Sequence, residues 1–373
     1  MAHILVTGGA GFIGSFIVDE LVRRGHQVRI FDSLVQQVHH GKVPEHLNPK
    51  AEFIRGDVQD RAALAQALEG IDIVFHKAAE VGVGQSMYEI SRYVGANTMG
   101  TANLLDIIVN TETIRKRVKK IIVAASMSAY GEGKYSCPAC GDVRPSLRSE
   151  EQLQKKDWEV HCPSCNKILK PLPTPEEKML ESTSIYAITK KDQEEMVHSI
   201  GKAYGIPTVA LRYFNVYGPR QSLSNPYTGV AAIFMSRLKN NQAPAIFEDG
   251  NQSRDFVSVH DIVQANMLAM QNDRANYETF NVGSGKVVTI KQVAEILARV
   301  CNKDIKPVIN EQFRKGDIRH CFADISKIRK LGFEPKVSFE EGMKELVAWS
   351  AKAEAKDMVA EATAQLKKKG LLT

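Results

Sequence analysis

The sequence lacks the long apolar runs of a membrane protein: no run approaches the roughly 18–20 residues that span a bilayer. We expect no secretory leader either, because Met1 is followed at once by an apolar stretch and Gly8. No sign of charge dominates, since 49 Lys and Arg against 43 Asp and Glu leave a net charge of +6 without a basic cluster. This balance argues against a nucleic-acid partner. We therefore expect a cytoplasmic protein without a membrane or nucleic-acid partner.

What the sequence does contain is a regular alternation of short apolar runs and amphipathic stretches. The apolar runs predict buried parallel strands, and the stretches between them predict helices, such as 12–24 before Gly25. Repeated βα units of this kind build a doubly wound parallel sheet, so we predict an α/β fold. The predicted strands are 4–7, 28–31, 53–55, 73–76, 121–125 and 207–212, and the other predicted helices are 60–68 and 101–109.

A glycine-rich turn joins the first predicted strand to the first helix. Gly8, Gly11 and Gly14 are spaced so that a backbone can approach a pyrophosphate, which the N-terminus of the helix would hold. Asp32 closes the second predicted strand, where a carboxylate binds ribose hydroxyls and repels a 2′-phosphate. This arrangement predicts a Rossmann-type NAD site that also includes Phe12 and Ile13 of the turn.

A second motif, Y-x-x-x-K, begins a later predicted helix. Tyr186 and Lys190 lie four residues apart and therefore share one helix face, where an ammonium would lower the pKa of the phenol. Ser126 ends the predicted strand 121–125, at the sheet edge where open α/β sheets bind ligands. We therefore predict that Tyr186 is a general base, that Lys190 is a cation that stabilises its phenolate, and that Ser126 orients a substrate hydroxyl. Together they would support oxidation and reduction at a carbinol carbon. Ser128 is the neighbouring alternative to Ser126.

The change of pattern along the chain predicts three parts. Residues 1–212 form the NAD-binding lobe, and residues 213–350, richer in Gly, Pro and Asn, form mainly a smaller substrate-binding lobe. Residues 351–373 are a tail in which the Ala-, Lys- and Glu-rich stretch 351–369 predicts a solvated helix. A polar segment at about 133–173, which holds four of the six cysteines, interrupts the first lobe as an insertion.

Further motifs accompany the glycine turn and the Y-x-x-x-K pair, at Asp32, 56–58, 76–79, Asn97, 130–131, 212–220, 254–257 and 316–319. With them the sequence resembles the extended short-chain dehydrogenase/reductase family of NAD-dependent nucleotide-sugar epimerases and dehydratases. The resemblance implies that Ser126, Tyr186 and Lys190 are catalytic. It also implies cofactor contacts by Asp57, Val58, Lys77, Ala78, Ala79, Asn97, Tyr186 and Lys190. The substrate contacts that it implies are Ser126, Ser128, Asn215, Val230, Arg254 and Arg319.

The residues after Ser126 bear on the reaction. Dehydratases of this family carry an Asp–Glu pair there, and its decarboxylases carry a Glu, whereas this chain has Met127 and Ser128. The resemblance therefore implies an isomerase that oxidises C4 of the sugar and returns hydride to the opposite face. Segments 82–90, 221–230 and 317–321 are similar to the branch that interconverts dTDP-L-rhamnose and dTDP-6-deoxy-L-talose. A UDP-glucose or UDP-uronate 4-epimerase, and another nucleotide-sugar dehydratase or reductase, remain alternatives.

Two C-x-x-C pairs lie in the insertion. Cys137 and Cys140, followed after 21 residues by Cys162 and Cys165, have the spacing of a structural zinc ribbon. Disulfides and an empty site are the alternatives. Because the insertion lies between Ser126 and Tyr186, we expect it to shield the sugar pocket or to extend a dimer contact.

Two expectations concern assembly and class. The resemblance implies a homodimer formed through helices 101–109 and 186–204. An alternative hypothesis from another functional class is a non-catalytic, NAD-sensing regulator that uses its zinc ribbon to bind a partner. Such regulators typically lose the Tyr or the Lys of the catalytic motif, and Tyr186 and Lys190 are both present.

Overall fold

The computed structural model describes residues 1–227 and 229–373. Thr228, within the segment 221–230, lies outside the described residues. In the described ranges no helix is both long enough and apolar enough to cross a bilayer.

The strands and helices alternate along the chain as follows. The strands are β1 His3–Thr7, β2 Gln27–Asp32, β3 Glu52–Arg55, β4 Ile73–His76, β5 Lys120–Ser126, β6 Lys134–Cys137, β7 Gly141–Val143, β8 Lys170–Leu172, β9 Thr208–Tyr213, β10 Asn215–Tyr217, β11 Ala245–Ile246, β12 Ser253–Arg254, β13 Phe256–Ser258, β14 Glu278–Val282, β15 Val288–Thr289, β16 Val308–Ile309 and β17 His320–Cys321. The helices are α1 Phe12–Arg23, α2 Gln36–His39, α3 Arg61–Leu68, α4 Val83–Ser86, α5 Ile90–Tyr93, α6 Gly100–Asn110, α7 Glu112–Arg117, α8 Glu150–Gln154, α9 Ile185–Tyr204, α10 Val230–Lys239, α11 Val259–Gln271, α12 Ile290–Val300, α13 Ser326–Arg329, α14 Phe339–Ser350 and α15 Val359–Lys368, and a π-helix, Val94–Met99, joins α5 to α6.

A seven-stranded parallel sheet of order β14-β9-β5-β4-β1-β2-β3 forms the centre of the molecule. Both of its faces are covered, which is why the central residues of most of its strands are apolar on both faces. In β1, for example, Ile4 and Val6 belong to the core beneath α1 and α11, whereas Leu5 belongs to the core beneath α3, α6 and α9. The predicted doubly wound α/β fold is confirmed, and each predicted strand lies within one or two residues of its observed bounds.

A smaller lobe packs its own core from α10, α12 and α14, including Phe234, Leu297 and Met343. The chain does not stay in this lobe after residue 213. Helix α11 returns to pack against α1, and β14 pairs with β9 at the edge of the central sheet. The predicted lobe boundary at residue 212 is therefore crossed, because the edge strand β9 gains a hydrogen-bonded partner from later sequence.

The insertion and the tail both have more structure than their polarity indicated. In the insertion, β6 pairs antiparallel with β7 and with β8 and forms a small sheet that we call the ribbon, residues 134–172. In the tail, the predicted helix 351–369 shortens to α15, and it is not simply solvated. Ala362 and Leu366 are buried against the rest of the chain, so the helix is present but one face of it is covered and not solvated.

Candidate active site

A cleft of about 1020 Å³ opens above the carboxyl ends of the central strands, between the two lobes. This volume is at the upper end of the roughly 300–1,000 Å³ typical of ligand pockets, so it can hold two ligands side by side. All the predicted site residues except Asn97, Arg319 and the four cysteines line it. Those that line it are Gly8, Gly11, Phe12, Ile13, Gly14, Asp32, Asp57, Val58, Lys77, Ala78, Ala79, Ser126, Ser128, Tyr186, Lys190, Asn215, Val230 and Arg254.

The glycine turn is shaped by close backbone approaches. Gly8 has a φ of 68°, and a Cβ on Gly14 would lie 2.1 Å from the carbonyl oxygen of Gly8. Both positions therefore require glycine, and the start of α1 is left open to the cleft. Asp32, at the end of β2, accepts hydrogen bonds from the backbone N–H of Ala10 at 3.0 Å and of Leu34 at 2.9 Å. The turn and this oriented carboxylate fit the pyrophosphate and a ribose of a dinucleotide.

Lys77 follows β4 and lies at the floor of the cleft. Its Nζ donates to the phenol oxygen of Tyr213 at 3.1 Å, and its ammonium lies 5.5 Å from the centre of that ring. Burial, aided by the charge of Lys190, holds the pKa of Lys77 well below its ordinary value. A cation that is costly to bury here would be stabilised by an anionic ligand.

Ser126, Tyr186 and Lys190 meet at the centre of the cleft. Ser126 ends β5, and Tyr186 lies in the first turn of α9, whose N-terminus is capped by the Ser184 hydroxyl. Lys190, one turn later, donates from Nζ to the carbonyl of Ala124 at 2.9 Å. The predicted convergence of the three residues on one pocket is therefore observed.

The electrostatics of this centre differ from the expectation. Burial raises the pKa of Tyr186, and a hydrogen bond with Ser126 opposes that rise. Burial also lowers the pKa of Lys190 to about 7. The sequence predicted that Lys190 would lower the pKa of the phenol, but in this structure desolvation is the largest effect on both groups.

Asn97 does not line the cleft, contrary to its predicted role as a cofactor contact. It lies in the π-helix, where its amide accepts from the backbone N–H of Glu80 and donates to the carbonyl of Glu80 and to the hydroxyl of Thr189. Its hydrogen bonds are thus made behind the cleft. They join the loop after β4 to the first turns of α9.

The substrate lobe contributes polar groups at the far end. The side-chain oxygen of Asn215 is buried and has no hydrogen-bond partner among the described residues. Arg254 donates from Nη1 to the carbonyls of Ser253 and Arg319 and from Nη2 to the carbonyl of Ile318, at 2.7–2.8 Å. These carbonyls fix the guanidinium at the cleft wall. An anionic ligand there would satisfy its remaining donors.

Arg319 has a different position from the predicted one. Its side chain is fully buried outside the cleft and pairs with Glu159, Glu248 and Asp249. The prediction that Arg319 contacts the substrate therefore does not agree with the structure. Arg237 and Arg314 line the cleft instead, and sequence reasoning missed both because neither belongs to a recognisable motif.

The tail was also missed as part of the site. Residues of α15, among them Thr363 and Leu366, line the cleft. A Cβ placed on Gly84 would lie 3.3 Å from the Leu366 side chain, so the helix is packed directly on α4. The apolar spacing of Val359, Ala362 and Leu366 was the available signal, since it marks one helix face.

The four cysteines of the ribbon form a compact cluster. Their sulfur atoms all lie within 4.8 Å of one another, and Cys137 Sγ is 3.5 Å from Cys165 Sγ. A tetrahedral zinc site with 2.3 Å bonds has sulfur–sulfur edges of roughly 3.8 Å. The backbone N–H of Ala139 lowers the pKa of Cys137 to about 6, whereas hydrogen bonding with Cys165 raises the pKa of Cys140 to about 12. Four thiolates this close require a cation to be ionised together.

Comparison with known proteins agrees with this architecture. Residues 4–150 match the NAD dependent epimerase/dehydratase family, and residues 169–346 match the GDP-mannose 4,6 dehydratase family. The dTDP-L-rhamnose 4-epimerase of Burkholderia thailandensis is 36% identical, covering 93% of this chain and 94% of that protein.

Solved structures give the same result. The UDP-glucose 4-epimerase of Thermotoga maritima with UDP-glucose is 34% identical, with a TM-score of 0.76 over 94% of this chain and 99% of that one. The UDP-glucose 4-epimerase of Thermus thermophilus with NAD is 28% identical, with a TM-score of 0.73 over 94% and 100%. The chain thus belongs to the NAD-dependent epimerase/dehydratase family and is an isomerase of the nucleotide-sugar epimerase class.

Proposed function

We propose that this protein inverts C4 of a nucleotide sugar and regenerates its NAD in each cycle. The observation that carries this proposal is the meeting of Ser126, Tyr186 and Lys190 in the cleft, next to Met127 and Ser128. The trio can support oxidation of a carbinol, but neither Met127 nor Ser128 can move protons on carbon. Return of the hydride is therefore the simplest outcome for a ketone formed at C4.

Each of the three side chains has a defined task. Tyr186 accepts the proton of the C4 hydroxyl through its phenol oxygen, and Ser126 holds that hydroxyl by a hydrogen bond. Lys190 supplies positive charge that favours the phenolate when the cleft is occupied. Bound NAD would supply a hydride acceptor that also returns the hydride.

The remaining cleft residues divide between two ligands. The glycine turn, Asp32, Asp57 and Val58 would hold the pyrophosphate, ribose and adenine of NAD, and Lys77, Ala78 and Ala79 would border its ribose. Asn215, whose buried side-chain oxygen lacks a partner among the described residues, and Arg254 would hold the substrate, with the side chain of Val230 beside them. The guanidinium of Arg254 would bind the diphosphate of the nucleotide sugar, as the family resemblance implies.

The most favoured substrate pair is dTDP-L-rhamnose and dTDP-6-deoxy-L-talose. The support is the 36% identical dTDP-L-rhamnose 4-epimerase, together with the similar segments 82–90 and 317–321. A UDP-sugar is the second candidate, because a solved structure with UDP-glucose shares 34% identity. The NAD-sensing regulator is disfavoured by the intact Tyr186 and Lys190.

A substrate panel tests the proposal directly. The purified enzyme is incubated with dTDP-, UDP-, GDP- and CDP-sugars, and the products are identified by proton NMR. We expect a C4 epimer of a dTDP-sugar, without net change in bound NAD. The Tyr186→Phe variant should lose turnover and retain NAD, whereas full activity in it, or a dehydrated product from the wild type, would contradict the proposal.

We further propose that the cysteine cluster binds one structural Zn²⁺. The support is the mutual approach of four sulfur atoms within 4.8 Å, which supplies the four ligands of a closed structural zinc site. Elemental analysis should give one zinc per chain. Cys140→Ser should lower that content, whereas Cys301→Ser, which changes a thiol outside the ribbon, should not; a metal-free wild type would refute the site.

A homodimer is proposed from one apolar surface. Val94, Met99 and Ile188 are 40%, 54% and 43% exposed, on the π-helix and α9. A second copy of the chain would cover these side chains in a four-helix contact with α6 and α9. Analytical ultracentrifugation should give a dimer for the wild type and a monomer for Met99→Asp combined with Ile188→Asp.

A further inference from the structure

Buried ion pairs join the ribbon to the substrate lobe. Arg148 of the ribbon is 2% exposed and makes two parallel hydrogen bonds with the Glu248 carboxylate, at 2.9 and 3.0 Å. It also donates to the backbone carbonyl of Asp317 at 3.1 Å. One ribbon side chain thus holds both a cleft-lining carboxylate and the loop that carries residues 317–319.

A second contact from the ribbon reaches the same loop. Glu159 accepts from Arg319 at 2.6 Å, and the guanidinium of Arg319 is completed by Glu248 and Asp249. The hydrogen bond with His320, and after it the pairing with Arg319, lowers the pKa of Glu159 to about 2, so this carboxylate is ionised at neutral pH. The ribbon therefore contributes one cation and one anion to a five-membered charge network.

The loop held in this way orients Arg254. The carbonyls of Ile318 and Arg319 accept from the guanidinium of Arg254, at 2.7 and 2.8 Å. The contacts form a continuous path: Glu159 holds the Arg319 side chain, and the Arg319 backbone holds Arg254 at the cleft wall. In the described part of the chain, no ribbon residue lines the cleft.

Stability alone does not account for such a network. Buried ion pairs contribute little net free energy, since desolvating the charges offsets most of their attraction. Their directional hydrogen bonds can instead fix one geometry. The fixed geometry here is that of a guanidinium which would hold a phosphate, and a rigid binding group costs less entropy to engage than a mobile one.

We propose that the ribbon is a positioning element for the diphosphate of the substrate, with Arg148 and Glu159 acting through Arg254. This inference rests on the proposed function, in which Arg254 binds that diphosphate. The expected consequence concerns affinity and not chemistry, because Ser126, Tyr186 and Lys190 make no described contact with the ribbon. It replaces the expectation that the ribbon shields the sugar.

The test measures binding of UDP and dTDP to the NAD-loaded full-length protein by calorimetry. In the Arg148→Gln and Glu159→Gln variants we expect about tenfold weaker binding, a matching rise in KM, and kcat within twofold. Arg144→Gln is the matched control, because Arg144 is also in the ribbon but pairs with the exposed Glu181. It should bind like the wild type.

A double-variant cycle separates positioning from general damage. When Arg254 is already Gln, Arg148→Gln should weaken binding no further, whereas damage unrelated to Arg254 would add. Glu159→Gln provides the same comparison if Arg148→Gln melts at a much lower temperature. Unchanged affinity in both single variants, or additive losses in the cycle, would overturn the inference.

The two proposals can fail separately. A wild-type protein that binds dTDP or UDP but turns over no sugar would contradict the epimerase proposal. The double-variant binding cycle would then still test the ribbon inference. Turnover with unaltered KM in Arg148→Gln would contradict only the ribbon inference. A wild type that binds neither nucleotide would overturn both.

Discussion

Asn97 donates its side-chain amide to the hydroxyl of Thr189 at 3.0 Å, although the two residues are 92 positions apart. Thr189 in turn donates to the carbonyl of Tyr186, so Asn97 is linked to the turn of α9 that carries the phenol. The other hydrogen bonds of Asn97 hold the backbone of Glu80. Asn97 therefore joins two edges of the cleft without entering it.

Replacing Asn97 should make the first turns of α9, which carry Tyr186, less well ordered. Asn97→Ala leaves the N–H and the carbonyl of the half-buried Glu80 without their protein partner and removes the donor to the buried Thr189. We expect a lower denaturation midpoint and a reduced kcat with NAD still bound. Asn110→Ala, on the exposed end of α6, is the control, and equal effects of the two changes would contradict a role for Asn97 in positioning.

The pH dependence of turnover should report on Ser126. Because its hydrogen bond lowers the pKa of Tyr186, Ser126→Ala should raise that pKa. A base with a higher pKa is deprotonated only at higher pH, so the acidic limb of the kcat profile should move upward. Ser128→Ala removes a hydroxyl that only donates to Ser126, at 2.9 Å, and should shift the limb less. A larger shift in Ser128→Ala would reverse the two assignments.

Burial of Lys190 should lower the free energy of unfolding of the protein at neutral pH. Its pKa is about 7 in the folded protein and about 10.4 in an unfolded chain. Between these values the unfolded state binds the extra proton, so the contribution of Lys190 to stability improves as the pH rises from 7 to 10. The stability of Lys190→Met relative to the wild type should therefore fall over this range. Urea titrations at several pH values measure it, and a constant difference would contradict the buried cation.

The tail should contribute to substrate affinity. Leu366 is 6% exposed and packs on Gly84, and the backbone after α15 bonds to Lys315 and Phe313. Leu366→Asp would bury a charge and release α15 from the cleft. We expect a higher KM for the nucleotide sugar and faster proteolysis of the tail. Gln365→Asp, an exposed change one residue earlier, should leave both unaltered.

Much of the fold could be predicted because its signals are local. Apolar runs predicted six of the seven strands of the sheet, and β14 was missed. The glycine turn predicted the start of α1, and Tyr186 and Lys190 share a face through helical geometry alone. The site residues near strand ends were predictable for the same reason. The predictions that failed concern Arg319 and the tail helix. The positions of both depend on contacts with residues that are distant in sequence.

The sequence by itself determined the parallel sheet, the dinucleotide turn and the Tyr186–Lys190 pair, because apolar periodicity and short spacings are local signals. Ser126 was identified from its place at a strand end and from the family resemblance. Only the tertiary structure decided that Arg319 turns away from the cleft and that α15 covers it. A buried arginine needs carboxylate partners, and the ribbon residue Glu159 reaches Arg319, beside Glu248 and Asp249 of the substrate lobe, only through the tertiary fold.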